Sequence, residues 1–354
     1  MSTNPFIKAG ILTIVLLTVF LIGWELTWRS KGFFAFYDDN AALWADKRAK
    51  VYKPQQQNTV FIGSSRIKFD LDIPTWKKIT GEDATQLAIV GSSPLLLLED
   101  LANDENFKGK LVVDVTEPLY FSGAPPYTAK PAEFTSYFKK RTPTQKFSFE
   151  VSRRLESQFT FLNQEYLSIN GLLNQVTLPA RKDVFVFPYF PHQFEVTNFE
   201  RQSLMLDEFV RDSSLQKQMQ DVWQTLMMAG SKMPPTPPEA VEAVFTRTTT
   251  AVNKIRARGG RVLFVRTPSS NPMWQGEQMG FPREKFWNRL LNVAKAEGIH
   301  FADYDETSGF ICPEWSHLSP ADAIVYTKHL ARHIESKGWK FPNTNPAVAQ
   351  ISSH

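Results

Sequence analysis

The chain has 354 residues, of which 42% are hydrophobic and 21% charged, and its forty Lys and Arg against thirty-six Asp and Glu leave a net charge of +4. These globular proportions argue against a disordered chain and a polytopic membrane protein, and so small a charge excess gives no nucleic-acid footprint. The single cysteine, Cys312, excludes an internal disulfide and a Cys-rich zinc site.

Residues 9–24 (AGILTIVLLTVFLIGW) carry no charge. Sixteen residues are short for a span of roughly 20. Phe6, Ile7 and residues 26–28 lengthen the run, and Trp24 and Trp28 suit the headgroup level. The following flank (GWELTWRSKGFF) is bulky and offers no small-x-small cleavage site. Residues 1–31 therefore read as an uncleaved, single-pass anchor in the cytoplasmic membrane. Lys8 on one side balances Arg29 and Lys31 on the other, so charge leaves the orientation open; the short N-terminal tail suggests an exported domain. Residues 32–58 read as a juxtamembrane stalk and linker, with a helix starting at Asp38-Asp39-Asn40.

From residue 59 to about 340 the pattern becomes α/β. Strands are expected over 59–62 (TVFI), 85–90 (TQLAIV), 110–116 (KLVVDVT), 261–266 (RVLFVR) and 299–303 (IHFAD). Helices are expected over 73–80, from Pro94 through 95–104, over 240–258 with a stop at Gly259-Gly260, over 283–297, and over 320–337 with Ser319 as N-cap. Apolar strands alternating with helices indicate a three-layer α/β/α sandwich with a mostly parallel five-stranded, flavodoxin-like sheet. The rhythm breaks between about 122 and 239, which is rich in aromatics and proline clusters and reads as a largely helical insertion. Residues 341–354 read as a disordered tail.

Parallel sheets place their sites in the loops at the C-terminal strand ends. Three such loops hold chemistry-bearing residues. Gly63-Ser64-Ser65-Arg66 follows the first strand, and a serine there can expose its hydroxyl and present its own amide to an oxyanion. Gly91-Ser92-Ser93 follows the second, with a glycine that allows close backbone approach. Glu314-Trp315-Ser316-His317 precedes the last helix, placing an acid three residues before a histidine whose tautomer it can fix. Taken alone, each Gly-Ser motif reads first as an ordinary turn, and the histidine has an exposed or capping residue as its other reading. His329 and His333 lie four apart on a helix without a third metal ligand in view, and His192 and His300 have no evident partner. Arg66 and Arg266 suit either a sheet-edge ion pair or a substrate anion.

Taken together, the order of serine after strand one, glycine after strand two and acid-x-x-His before the last helix resembles the SGNH/GDSL hydrolase superfamily of esterases and acyltransferases. The resemblance covers roughly residues 59–121 and 240–337. It implies Ser65 as nucleophile, His317 as general base and Glu314 as its orienting acid. It further implies the amides of Ser65 and Gly91 around the oxyanion, where Thr116 could donate in place of a family residue. By their position at the sheet edge, Ser93, Arg66 and Arg266 are the candidate substrate contacts, with an ion pair as the other reading of the two arginines. The chain departs from the family at Ser64, where the family has aspartate, and at Glu314, also an aspartate there. After strand three, Asp114-Val115-Thr116-Glu117 has no counterpart of the family's oxyanion asparagine. One lost oxyanion donor costs about 10²–10³ in rate. The implied activity is a serine esterase or O-acyltransferase acting on acyl, above all acetyl, groups of a cell-envelope carbohydrate, with no metal or cofactor. A multi-span membrane acyltransferase is the implied partner. The alternative is a catalytically inactive SGNH-like scaffold or carbohydrate-binding subunit of an envelope acylation system.

Overall fold

The computed structural model describes residues 4–176, 188–232 and 234–343. They fall into two units, one formed by the N-terminus to Asp38 with Thr142–Tyr189, the other by Asp39–Arg141 with the chain from Phe190 onward.

The second unit is built on strands β1 (Asn58–Ile62), β2 (Asp83–Gln86) and β3 (Lys110–Asp114), a short ribbon of β4 (Val196–Thr197) and β5 (Ser203–Leu204), and strands β6 (Arg261–Arg266) and β7 (Glu297–His300). The main sheet has five strands in the order β2-β1-β3-β6-β7, all parallel. The chain runs outward from β1 to β2 and then returns to β3 on the other side of β1. That reversal puts a topological switch point between β1 and β3, the place beyond whose carboxyl ends doubly wound sheets bind ligands.

The central strands β1, β3 and β6 carry apolar residues on both faces because both are covered. Val60, Ile62, Leu111, Val113, Val262 and Phe264 join one core with helices Ala41–Arg48, Leu95–Asn103 and Pro238–Ala257. The alternate residues Phe61, Val112, Leu263, Val265 and Ile299 join the other with helices Ser65–Asp70, Ile73–Thr80 and Pro320–Ser336. This period-two division is what a sheet buried between two helical layers requires.

Several boundaries differ from expectation for identifiable reasons. The anticipated stalk is split: from Asp39 onward it belongs to the α/β unit, and Leu43, Trp44 and Ala45 are buried there. Strand β2 stops at Gln86 instead of 90, although Leu87 and Ile89 still donate to the Phe61 and Gly63 carbonyls (2.8 and 3.2 Å). Arg201 takes the outward carbonyls of Gln86 and Ala88 (both 2.9 Å), closing the sheet edge with a guanidinium where a strand would otherwise pair. Strand β7 ends at His300, whose Nδ1 accepts from the Ala302 amide (3.1 Å) and turns the chain into a 3₁₀ segment, Phe301–Asp303. The expected tail lies mostly outside the described residues, but Phe341 is buried and the Asn343 amide donates to the Thr80 carbonyl (3.1 Å). Between Phe121 and Pro238 the described residues add no strand to the main sheet. Part of that region, Pro125–Lys140, packs on Ala41–Arg48, and the ribbon and helix Ser213–Ser231 lie in the α/β unit.

The other unit is organised by one long helix, Pro5–Ser30, started by Asn4, whose side chain accepts from the Phe6 amide (3.0 Å). It is long and apolar enough to cross a membrane, with a mean hydropathy of 2.4 over its most apolar 18 residues. Two carboxylates near its end cap later turns. Glu25 accepts from the amides of Thr160 and Phe161 (3.0 and 3.1 Å), and Asp38 from those of Gln164 and Glu165 (2.9 and 3.1 Å).

Candidate active site

Ser65 sits where β1 gives way to helix Ser65–Asp70, so its amide is in the first turn, where helical N–H groups have no intrahelical acceptor. Gly63 permits the turn. A Cβ there would lie 2.6 Å from Ile67 Cγ2 and 2.7 Å from Asp114 Cβ, so only a bare backbone lets the serine's helix start this close to β3. Ser65 is half-buried, while its neighbours Ser64 and Arg66 are buried.

His317 reaches this serine from the far end of the chain. Its Nε2 lies 2.8 Å from Ser65 Oγ and its Nδ1 lies 3.0 Å from Glu314 Oε1. The same Glu314 oxygen accepts from the backbone amides of His317 (2.6 Å) and Ser316 (3.3 Å). Glu314 Oε2 accepts from the indole N–H of Trp223. Four donors thus converge on a fully buried carboxylate that is an acceptor at both oxygens. With Nδ1–H turned to the acid, Nε2 is left with its lone pair toward the serine hydroxyl, the arrangement a general base needs.

The loop holding the pair is strained to do so. Trp315, between acid and histidine, has φ of 80°, the left-handed region, and turns the Glu314 side chain back toward the His317 ring. The loop is tied to the end of β6: the Ser270 amide donates to the Trp315 carbonyl (2.9 Å) and the Cys312 amide to Ser270 Oγ (3.1 Å). From the other side, Asp70 Oδ1 accepts the Leu318 amide (2.9 Å), linking the serine's helix to the histidine's loop. Burial pushes the Asp70 carboxyl well above the usual carboxylate range.

Three aromatic rings enclose the imidazole: Phe69 at 4.5 Å, Phe194 at 5.7 Å and Trp223 at 6.0 Å between centroids. Two of them come from the aromatic-rich middle region, which had no function assignable by pattern. Its small core of Phe194, Met205, Phe209, Met219 and Val222 closes on Phe69 of the serine's helix. The ribbon is tied to that helix by Lys68, which reaches Glu195 and Thr197 (both 3.3 Å) as well as Asp39 (2.8 Å). The abundance of aromatics was the only signal in sequence; nothing in it indicated that a tryptophan would donate to the acid.

The remaining predicted positions divide. Continuation of the β1–β2 pairing through Ile89 brings the Gly91 turn up beside the serine's turn, and Gly91 is exposed, with φ of 63° and no atom within 4 Å of where a Cβ would stand. Thr116 is buried, and its hydroxyl is tied to that of Ser64 (2.9 Å). It is free to donate elsewhere only when Ser64 supplies the proton of that bond. Glu117 is turned away onto Arg266, whose Nε donates to it (2.9 Å).

The three candidate substrate positions are buried on partners of their own, the two arginines in the sheet-edge ion pair that was their other reading. Ser93 is buried, its amide on the Tyr127 carbonyl (2.9 Å) and its hydroxyl under the Leu95 amide (3.4 Å) at a helix start. Arg66 and Arg266 are buried on opposite oxygens of Glu277. Burial would raise the Glu277 carboxyl, but the two guanidiniums outweigh it and hold it at about 2. Arg66 also donates to Ser316 Oγ (3.3 Å), between acid and histidine. The arginines therefore brace the floor of the site. His329 and His333 both face Glu306 (3.8 and 3.3 Å), and no group of three metal-ligating side chains occurs among the described residues. Neither a protein-family model nor a curated protein matches this sequence, so the chemistry of the site is argued from its own geometry.

Proposed function

We propose that the chain is a serine-nucleophile acyl-transfer enzyme, an esterase or O-acyltransferase. The observation that carries this reading is the continuous hydrogen-bond chain from Ser65 Oγ through His317 to Glu314, with the serine half-buried and the other two buried. Ser65 Oγ attacks an acyl carbonyl as His317 Nε2 takes its proton. The amides of Ser65 and Gly91 receive the developing oxyanion. The C–O bond to the leaving alcohol then breaks, with His317 returning the proton to that oxygen. In the second half, water or a sugar hydroxyl gives its proton to His317 and attacks the acyl-serine; the acyl C–O bond to Ser65 breaks and His317 returns the proton to Ser65 Oγ. Glu314 orients the ring and stabilises the imidazolium. An envelope-carbohydrate substrate, reached from a membrane anchor over residues 5–30, is supported by the motif resemblance and by the apolar N-terminal helix. A multi-span acyl donor rests on the resemblance alone.

The test treats the full chain in detergent with a fluorophosphonate probe and with p-nitrophenyl acetate, beside Ser65→Ala and His317→Ala. Labelling and turnover in the wild type, absent from both variants, are expected. A folded wild type that neither labels nor turns over would replace this reading with that of a non-catalytic scaffold.

A further inference from the structure

Helix Pro143–Glu156 is well made but, among the described residues, packs against little beyond the short turn Thr160–Leu162 that follows it. Thr142 and Gln145 form a reciprocal capping box, and Pro143 occupies the first turn. Yet none of its 14 residues is buried. Phe147, Val151 and Leu155 are 71%, 43% and 45% exposed. Their i, i+4, i+8 spacing sets them in one stripe about 12 Å long. A helix of this length is marginal in water, because helices in proteins owe most of their stability to a packed apolar face. The Arg153–Glu150 hydrogen bond (2.7 Å) is worth a few tenths of a kcal/mol at about this spacing, which does not replace such a face.

The end of the helix indicates what covers the stripe. The turn that follows is bonded to the last turns of helix Pro5–Ser30: Arg29 donates to the Gln158 carbonyl (2.8 Å), and Glu25 accepts from Thr160 and Phe161. Glu25 and Arg29 are the first charges after the uncharged run, the level at which a spanning helix leaves hydrocarbon for headgroups. Phe159, in the same turn, is 42% exposed. Lys146, Arg153 and Arg154 outnumber Glu150 and Glu156 on the helix, and Arg154 can lay its stem beside the stripe and its guanidinium among lipid phosphates. A short basic amphipathic helix joined to the end of an apolar span has the composition of an interfacial helix.

We propose that Pro143–Glu156 lies in the membrane interface, with Phe147, Val151 and Leu155 in the acyl boundary, and forms with the end of the N-terminal helix a lipid-facing collar. This rests on the spanning reading of Pro5–Ser30, and the experiment separates the two. Full-length protein carrying single new cysteines at Phe147, Val151, Leu155, Lys146 or Leu16, with buried Cys312 left in place, is labelled with an environment-sensitive fluorophore. It is reconstituted into phosphatidylcholine–phosphatidylglycerol vesicles. Quenching by iodide in the water is compared with quenching by doxyl lipids bearing the quencher near the headgroup or near the chain end. The collar predicts blue-shifted emission and loss of intensity to the shallow lipid quencher at 147, 151 and 155. Lys146 should quench less with lipid and more with iodide, and Leu16 should quench with the deep label. Leu16 in lipid with the stripe open to iodide would overturn the collar and leave the anchor. A stripe shielded from both quenchers would overturn it in favour of a second copy of the chain on that face. Leu16 open to iodide would overturn anchor and collar together.

Discussion

Replacing Trp223 by Phe removes one N–H and leaves the aromatic wall nearly intact. The indole is the donor to Glu314 Oε2, which has no other partner among the described residues, whereas Oε1 keeps three. Glu314 is fully buried, so water does not replace the lost donor. A hydrogen bond to a charged group contributes about 1.5–3 kcal/mol, and an unsatisfied buried acceptor costs at least as much. If that energy holds the acid in the form and position that orient His317, fluorophosphonate labelling of Ser65 in Trp223→Phe slows about 10- to 150-fold, at 1.4 kcal/mol per decade. The assay is the second-order labelling rate at one fixed pH, with thermal unfolding measured in parallel. An unchanged rate in a variant of lowered stability would refute the argument, because the indole would then serve packing alone.

Glu277→Gln should leave Arg66 buried without its ion-pair partner and Arg266 with Glu117 alone, and cost about 3–5 kcal/mol, read as a lowered unfolding midpoint in detergent. The carboxyl of Glu277 is held at about 2, below its ordinary 4.5, so its contribution is full above 4.5 and fades as pH falls toward 2; the gap between wild type and variant should close over that window. Asp70 is shifted the other way by burial, so its contribution is present below the unfolded value and fades as pH rises through the raised one. Asp70→Asn keeps an acceptor for the Leu318 amide and should gain on the wild type as pH rises; a pH-independent difference would contradict the buried-carboxyl account. Gly63→Ala should cost about 1–3 kcal/mol by overpacking against Ile67 and Asp114 and should slow labelling, whereas an unperturbed variant would show that the turn has room to relax.

The α/β class was legible because strands buried on both faces carry continuous apolar stretches at their centres, as residues 60–62 of β1, 111–113 of β3 and 262–265 of β6 do. Helix Ile73–Thr80 and the Ser319 cap of the last helix were legible because caps, prolines and glycines act locally. Ser65, Glu314 and His317 could be named as candidates because strand ends and helix starts locate the sheet edge in sequence. What pattern could not supply is the set of contacts across 250 residues of chain that brings His317 Nε2 to Ser65 Oγ. Nor could it show that Arg66 and Arg266 spend their charge on Glu277, because an arginine at a sheet edge looks the same whether it faces a carboxylate or a ligand. The ribbon, the aromatic wall and Trp223 were hidden for a related reason: they are held by side chains of Lys68, Arg201 and Phe69 from other elements, and no local period records a partner so far away. Local hydrogen bonding and hydrophobic period write the elements into the sequence. The site exists only after folding, because its hydrogen bonds and buried charges join groups that are distant along the chain and become strong only once the surrounding core excludes water.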